Sequence, residues 1–350
     1  MRNLLRGSII IFSSLMLLSS CKKDDPEIEG TYSSGVFVIN EGAFQTGTGT
    51  ISFFEKQNRI STPKIFQKEN GFNVLGNIAQ SMTLIDGKGY ILINNASKIE
   101  VVTADNFKSL ATIGGIDQAR YMTAINNDKA YVSAWGADGT SGKIYVLNLN
   151  TNEVVKSIDI GGGPEKMLQN GDELYITKSG GFARDSIVLV LNITTDEITD
   201  TIVVGDNPIG IVKDLNNDIW VLCRGHNDFA NPLNNTNGEL IKLQNTEVQN
   251  RFTLSNGAGE LVRDNNGISL YFTMDGKVIK HDFDDLVFEN EVFIEKGFYA
   301  LAVDPNTDNL YCADAKDFAS NGEVFVYGQD GDQIVMFEVG IAPSDFAFNN

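Results

Sequence analysis

The chain has 350 residues, with 27 Lys+Arg against 46 Asp+Glu, two His and three Cys. A formal charge of −19 excludes the basic footprint that non-specific nucleic-acid binding needs, and 42% hydrophobic residues exclude a disordered chain. So few His and Cys exclude a His-rich metal cage, a four-Cys zinc site and a disulfide framework.

Arg2 and Arg6 precede an apolar run from Ile9 to Leu18 that only Ser13 and Ser14 interrupt. The run is too short to span a bilayer comfortably and reads as the apolar part of an export signal over residues 1–20. It ends in Leu18-Ser19-Ser20-Cys21, which resembles a bacterial lipobox with Cys21 as the lipidated residue. A plain secretory signal that happens to precede a Cys is the other reading. Two or more acyl chains on Cys21 would anchor the protein firmly. Residues 21–34 carry Asp24, Asp25, Glu27 and Glu29 and read as an acidic tether. The other two cysteines, Cys223 and Cys312, read as small hydrophobes at strand ends.

From Gly35 to the end, one pattern recurs. Short strands carrying an aromatic residue align at Phe37, Tyr90, Tyr131, Tyr175, Trp220, Tyr271 and Tyr311, with spacings of 53, 41, 44, 45, 51 and 40. A further strand follows each, such as Lys98-Ile99-Glu100-Val101 or Glu323-Val324-Phe325-Val326. A period near 45 residues with four short strands per unit is the signature of a β-propeller blade. The expectation is an all-β, seven-bladed propeller over residues 35–350 with no helix of note. Phe107 to Gly114 is the nearest to an ambiguous segment. The first unit lacks its innermost strand, and Pro343-Ser344-Asp345-Phe346 matches the innermost strand of other units. The C-terminal strand is therefore expected to complete the first blade, which removes an open sheet edge.

Blade topology sorts the connections onto two faces. On one lie short polar turns. Among them, Asp214-x-Asn216-x-Asp218 and Asp304-x-Asn306-x-Asp308 share part of a calcium-loop spacing but lack its Gly at the sixth position and Glu at the twelfth. On the other lie the second-to-third-strand loops, five of them long and each with an aromatic: Phe44, Trp135, Phe182, Phe229 and Phe318. Either these rings plug their own loops or they offer a ligand surface. The same face collects cations. Arg120 is placed at the mouth of the central channel, where Pro164 and Pro208 stand in other units; Lys178, Arg184 and Arg224 flank the aromatic loops, with His226 near. They bind an anionic or acceptor-rich ligand, or they pair with neighbours such as Asp185, Asp228 and Asp314. Gln80, Glu260 and Tyr299 make the mouth polar and mixed. No nucleophile elbow, His-Glu-x-x-His or phosphate loop is present, and Glu260 alone makes no carboxylate-lined metal site.

The stretches Val36-Phe37-Val38-Ile39-Asn40-Glu41-Gly42, Gly76-Asn77-Ile78-Ala79-Gln80-Ser81-Met82 and Val146-Leu147-Asn148-Leu149-Asn150 resemble the YncE-type seven-bladed propeller lipoproteins of Bacteroidetes. The acidic stretch after Cys21 is similar to the surface-export signal of such lipoproteins. The resemblance implies a lipid-anchored protein of the outer membrane facing the cell exterior. It implies capture of a bulky metal chelate, a ferric siderophore or a corrinoid such as vitamin B12, for a TonB-dependent transporter, without a covalent cofactor. The alternatives are a propeller enzyme of lactonase or quinoprotein type, and a structural or adhesive surface protein. An anionic siderophore would suit Arg and Lys beside rings; an amide-rich corrinoid would lean on Asn, Gln, Tyr and Trp.

Overall fold

The computed structural model describes residues 30–44 and 49–349; the signal, Cys21 and most of the tether lie outside them. The described residues form seven four-stranded antiparallel sheets. Each sheet is one blade, and six blades use four consecutive strands: blade 2 covers residues 79–114, blade 3 119–159, blade 4 163–203, blade 5 208–254, blade 6 259–294 and blade 7 300–341. The first blade is built from both ends of the chain: Gly35–Asn40 pairs with Thr50–Glu55 on one side and with the C-terminal strand Pro343–Asn349 on the other. The propeller is thus closed as the sequence pattern predicts.

Closure rests on seven apolar clusters, one at each junction between neighbouring blades. Each repeated aromatic residue supplies one of them. Tyr131 packs onto Met167, Leu174 and Ile176 of the next blade, and Trp220 onto Leu261, Leu270 and Phe272 of the blade after its own. Strands here are covered on both faces, so they read as near-continuous apolar runs, such as Ile219–Cys223. Except for Phe37, these aromatic residues carry a polar O–H or N–H that seeks a partner when buried. The Tyr90 hydroxyl donates to Asn152 Oδ1 at 3.1 Å, and Trp220 Nε1 donates to Asp214 Oδ2 at 3.1 Å.

Three features exceed the sequence pattern. A short helix, Ile65–Glu69, follows the three-residue outer strand Ile60–Thr62 of the first blade and buries Ile65 and Phe66 against the second blade. It accounts for the long first spacing. Packing also begins ahead of the first strand: the buried Tyr32 ring meets Phe53 and Phe107 edge-on, and its hydroxyl donates to Glu69 Oε1 at 2.9 Å. The ambiguous segment resolves as the strand Ser109–Gly114. Cys223 and Cys312 are free and buried. Among the described residues, no helix is long and apolar enough to cross a membrane.

Candidate functional site

Six of the seven inner strands bulge at the same level, near the loop-rich face. Ala79 pairs with Ile93 and Ser81 with Leu92, so Gln80 is left out of the ladder. The same shift frees Arg120 and Tyr121, Glu165 and Lys166, Ile209, Glu260, and Ser344. A bulge turns an otherwise sheet-facing side chain toward the axis. The residues entering these strands include Ile78, Gln118, Asn207 and Ala342, all at φ between 52° and 59°. Left-handed backbone at non-glycine residues costs of order 1–3 kcal/mol each and persists only where the surroundings enforce it.

This register corrects one alignment. Ala119, not Arg120, corresponds to Pro164 and Pro208, since they pair with Ala134, Lys178 and Cys223, each three residues past its blade's aromatic. Arg120 corresponds to Glu165 and Ile209. Glu165 was therefore missed as a channel-mouth residue, because the extra residue of a bulge is invisible to strand periodicity.

The freed side chains line a cavity of about 380 Å³ at the channel mouth, together with Glu41, Trp135, Ser179, Arg224 and Tyr299. Arg120 organises one side. Its Nε lies 3.1 Å from Glu165 Oε2, it donates to Gln80 Oε1, and its guanidinium stacks 4.4 Å from the Trp135 ring centroid. Ser179 Oγ donates to the other Glu165 oxygen at 3.0 Å. Opposite, Lys166 Nζ lies 3.4 Å from Glu260 Oε2 and 5.5 Å from the Tyr121 ring centroid. Tyr299 donates to Glu41 Oε1 at 3.2 Å.

Burial acts on these groups. It pushes the Asp345 carboxyl up to about 6 against the pull of Lys166, and it raises Glu41 although the Tyr299 hydroxyl works the other way. Burial pushes the Tyr121 phenol up to about 12. Burial alone would lower Lys166, but Glu260 and Tyr121 hold its ammonium above the ordinary value. Inward carboxylates are thus more numerous than Glu260 alone. Even so, among the described residues no three His, Cys, Asp or Glu side chains converge to hold a metal ion. The site presents fixed donors and acceptors in near balance, rimmed by rings.

The predicted residues divide into three groups. Arg120, Trp135 and Arg224 line the cavity, and Arg224 forms no ion pair among the described residues, donating to Ala258 O at 3.4 Å. Phe182 and Phe318 brace the rim: Phe182 meets Trp135 edge-on at 5.6 Å and Phe318 meets Tyr299 at 4.9 Å. The remainder stand outside the cavity wall. Phe44 and Phe229 are 70% and 91% exposed in their loops. Lys178 is buried, 3.0 Å from Asp185 Oδ2 and donating to Ile160 O, while Arg184 forks onto Asp206. His226 bridges its loop, its N–H on Thr236 Oγ1 at 2.9 Å. Tyr121, Glu165, Lys166 and Ser179 were not anticipated. For Glu165, Tyr121 and Lys166 the sequence signal is a small residue or Pro opening the inner strand, with the channel-facing residues one and two positions later; Ser179, on the second strand of its blade, has no such signal.

A closed seven-bladed propeller with a polar pocket at one mouth of its channel is the class that fold and site define. Within that class, the chain belongs to the family described as Domain of unknown function (DUF5074), whose model matches residues 34–336. No curated protein sequence matches it. Among solved structures, it is similar to a quinonprotein alcohol dehydrogenase-like protein of Bacteroides thetaiotaomicron. The TM-score is 0.69 at 15% identity, covering 91% of this chain and 79% of that one. A candidate 6-phosphogluconolactonase of Bacteroides fragilis gives 0.65 at 12% identity, covering 93% and 99%. A functionally unknown protein of Desulfotomaculum acetoxidans gives 0.67 at 14% identity, covering 90% and 99%. At such identities the likeness shows the fold alone.

Proposed function

We propose that this is a binding protein and not an enzyme: a surface lipoprotein, anchored through Cys21 to the outer membrane. In this reading it captures a bulky, near-neutral, amide-rich chelate of the corrinoid type and passes it to a TonB-dependent transporter. The observation that carries the reading is the charge-balanced cavity with Trp135 stacked on Arg120 at its rim. A pocket of this size takes one part of a large ligand, and the remainder rests on the surrounding rings. Amides both donate and accept, which suits a mouth where Gln80, Ser179 and Tyr299 stand among paired charges.

The cation arrangement favours the corrinoid over an anionic siderophore. Lys178 and Arg184 are neutralised by Asp185 and Asp206, and Arg120 by Glu165, leaving Arg224 as the lining cation without a carboxylate among the described residues. Capture at the membrane would raise the local concentration at the transporter through the tether.

The test is titration of the acylated protein in detergent with cobalamin and with a ferric catecholate complex. Cobalamin should co-migrate with the protein, and Trp135→Ala should weaken it roughly thirtyfold, as expected of a hot-spot ring. Binding of the ferric complex alone would exchange the ligand class, and binding of neither would remove the capture role. Cys21→Ala should release the protein from the outer-membrane fraction, and protease added to intact cells should reach the wild-type protein.

A further inference from the structure

The wall of the cavity is not level. Blade 6 joins its second and third strands by a two-residue turn, Asp275-Gly276, both left-handed at φ 52° and 73°. This is the tight hairpin geometry that leaves no loop to stand above the sheet. Blades 5 and 7 on either side carry long loops. Over the resulting notch runs a groove of about 300 Å³. It shares Gly257, Thr273, Phe298 and Tyr299 with the channel-mouth cavity, so the two spaces adjoin across a common wall.

The groove has a built floor and a built wall. Gly297 approaches Gly276 so closely that a Cβ on it would lie 2.9 Å from the Gly276 backbone, which keeps the floor bare of side chains. The wall is Phe318, held 48% exposed with its ring edge-to-face on Tyr299. Lys316 and Phe318 both adopt left-handed backbone, at φ 51° and 59°. Side-chain caps pin that strained loop: Asp314 Oδ1 accepts the Lys316 N–H at 2.8 Å, and Asp317 Oδ1 accepts those of Ala319 and Ser320 at 3.0 and 2.7 Å. Strain held in place beside a cavity is a sign of preorganisation, here of a half-exposed ring.

The charges select the guest. Lys316 pairs with Glu323 at 2.9 Å and Lys296 with Asp314 at 2.7 Å, so the cations beside the groove are occupied. Asp275 offers an exposed carboxylate, and carboxylates accept strongly from hydroxyl donors. A face of aromatic carbon beside acceptor oxygens matches a neutral ring with one apolar C–H face and hydroxyls on its edge. We infer that the groove over blade 6 is a second subsite, for a saccharide-type ring carried as an appendage of the molecule held at the channel mouth. The inference rests on the capture reading only for that molecule's other end.

The probes are maltotriose and cellotriose, added at millimolar concentration to the acylated protein in detergent and read by saturation-transfer NMR. Ring protons of at least one should receive saturation. Phe318→Ala should weaken that contact roughly tenfold, as should Phe318→Leu, which keeps bulk and loses the aromatic face. Trp135→Ala, across the cavity, should leave it intact. Absence of transfer to either saccharide, or transfer unchanged in Phe318→Leu, overturns the subsite. Cobalamin titrated in parallel separates the two readings: cobalamin bound without saccharide loses the subsite and keeps capture, and the reverse keeps the subsite and loses the corrinoid.

Discussion

The turns of the far face and the wall of the cavity use the same polar residue types differently. On the face away from the cavity, carboxylates close on their own turns. Asp214 Oδ1 accepts the Asn216 and Asp218 N–H groups at 2.8 and 3.0 Å, and Asp264 Oδ1 accepts those of Ile268 and Ser269 at 2.9 and 3.2 Å. Asp304 does the same for Asn306 at 2.9 Å, while its other oxygen holds Lys56 at 2.9 Å. These are side-chain-capped turns, so the calcium-like spacings are accounted for by backbone donors. At the cavity, polar groups reach across blades instead. Arg120 of blade 3 links Gln80 of blade 2 to Glu165 of blade 4, and Lys166 of blade 4 meets Glu260 of blade 6. On the turn face the capping carboxylates serve their own blade, although some contacts also cross there, as Lys56 of blade 1 on Asp304 of blade 7 and Tyr90 of blade 2 on Asn152 of blade 3. The cavity wall depends on all seven blades standing in a ring, which is what a site facing the axis requires.

The comparison can be broken most drastically at the closure. Removing residues 343–350 strips the inner strand from blade 1, takes Phe346 from its junction with blade 7, and takes Asp345 and Ser344 from the channel. Cooperative thermal unfolding should be lost; a truncated protein melting like the full chain would refute the ring dependence. The next effect belongs to the turn face alone. Asp214→Ala orphans the buried Trp220 Nε1 and two backbone N–H groups, at about 1–3 kcal/mol for each donor left unsatisfied in the interior. The melting temperature should fall by several degrees while ligand affinity holds. A change in affinity would show that the faces are coupled.

At the cavity the order should reverse. Arg120→Ala leaves the buried Glu165 carboxylate with Ser179 as its partner, so the melting temperature should fall by a few degrees while affinity carries the larger loss. Affinity for the captured ligand should fall by about 2 kcal/mol, measured by calorimetry on folded protein. A large drop in stability with unchanged affinity would make Arg120 a blade clamp and place the ligand elsewhere.

How much of this was legible follows the same division. The seven aromatic positions are readable because each packs at a junction that recurs, and the capped turns are readable because Asp-x-Asn is local. The closing strand is readable because Pro343-Ser344-Asp345 copies the inner-strand pattern. The cavity is only half readable. Gln80, Arg120 and Glu260 were placed, but a one-residue bulge displaced Glu165 and Lys166 from view, and Glu41 lies at a strand end that only ring closure brings to Tyr299. The pairing of Arg184 with Asp206 spans a blade junction and has no sequence period. Long loops with rings were visible, but whether each ring braced a neighbour or stood free was set by geometry across blades.

The smallest expected effect is also the one that reads the channel most directly. Asp345 follows the bulged Ser344, and its Oδ2 accepts the Met82 N–H at 3.1 Å. Lys166 and Glu260 face it from blades 4 and 6 with opposite influence, and burial pushes it up to about 6. An unfolded Asp titrates near 3.9. Between these values the folded chain holds a proton that the unfolded chain has released, so Asp345 favours folding most below about pH 4 and loses that contribution as pH rises toward 6. His281 opposes it: buried with no partner on Nε2, its pKa is lowered by burial, so its contribution is complete at neutral pH and is lost on acidification. The wild-type stability curve mixes the two slopes, and Asp345→Asn separates them. The variant's denaturation midpoint, taken relative to wild type, should rise as pH goes from below 4 to above 6 and then level. A difference constant with pH would mean that Asp345 titrates like a solvated carboxylate, and the channel beneath the cavity would then be wet enough to weaken every charge pair above it.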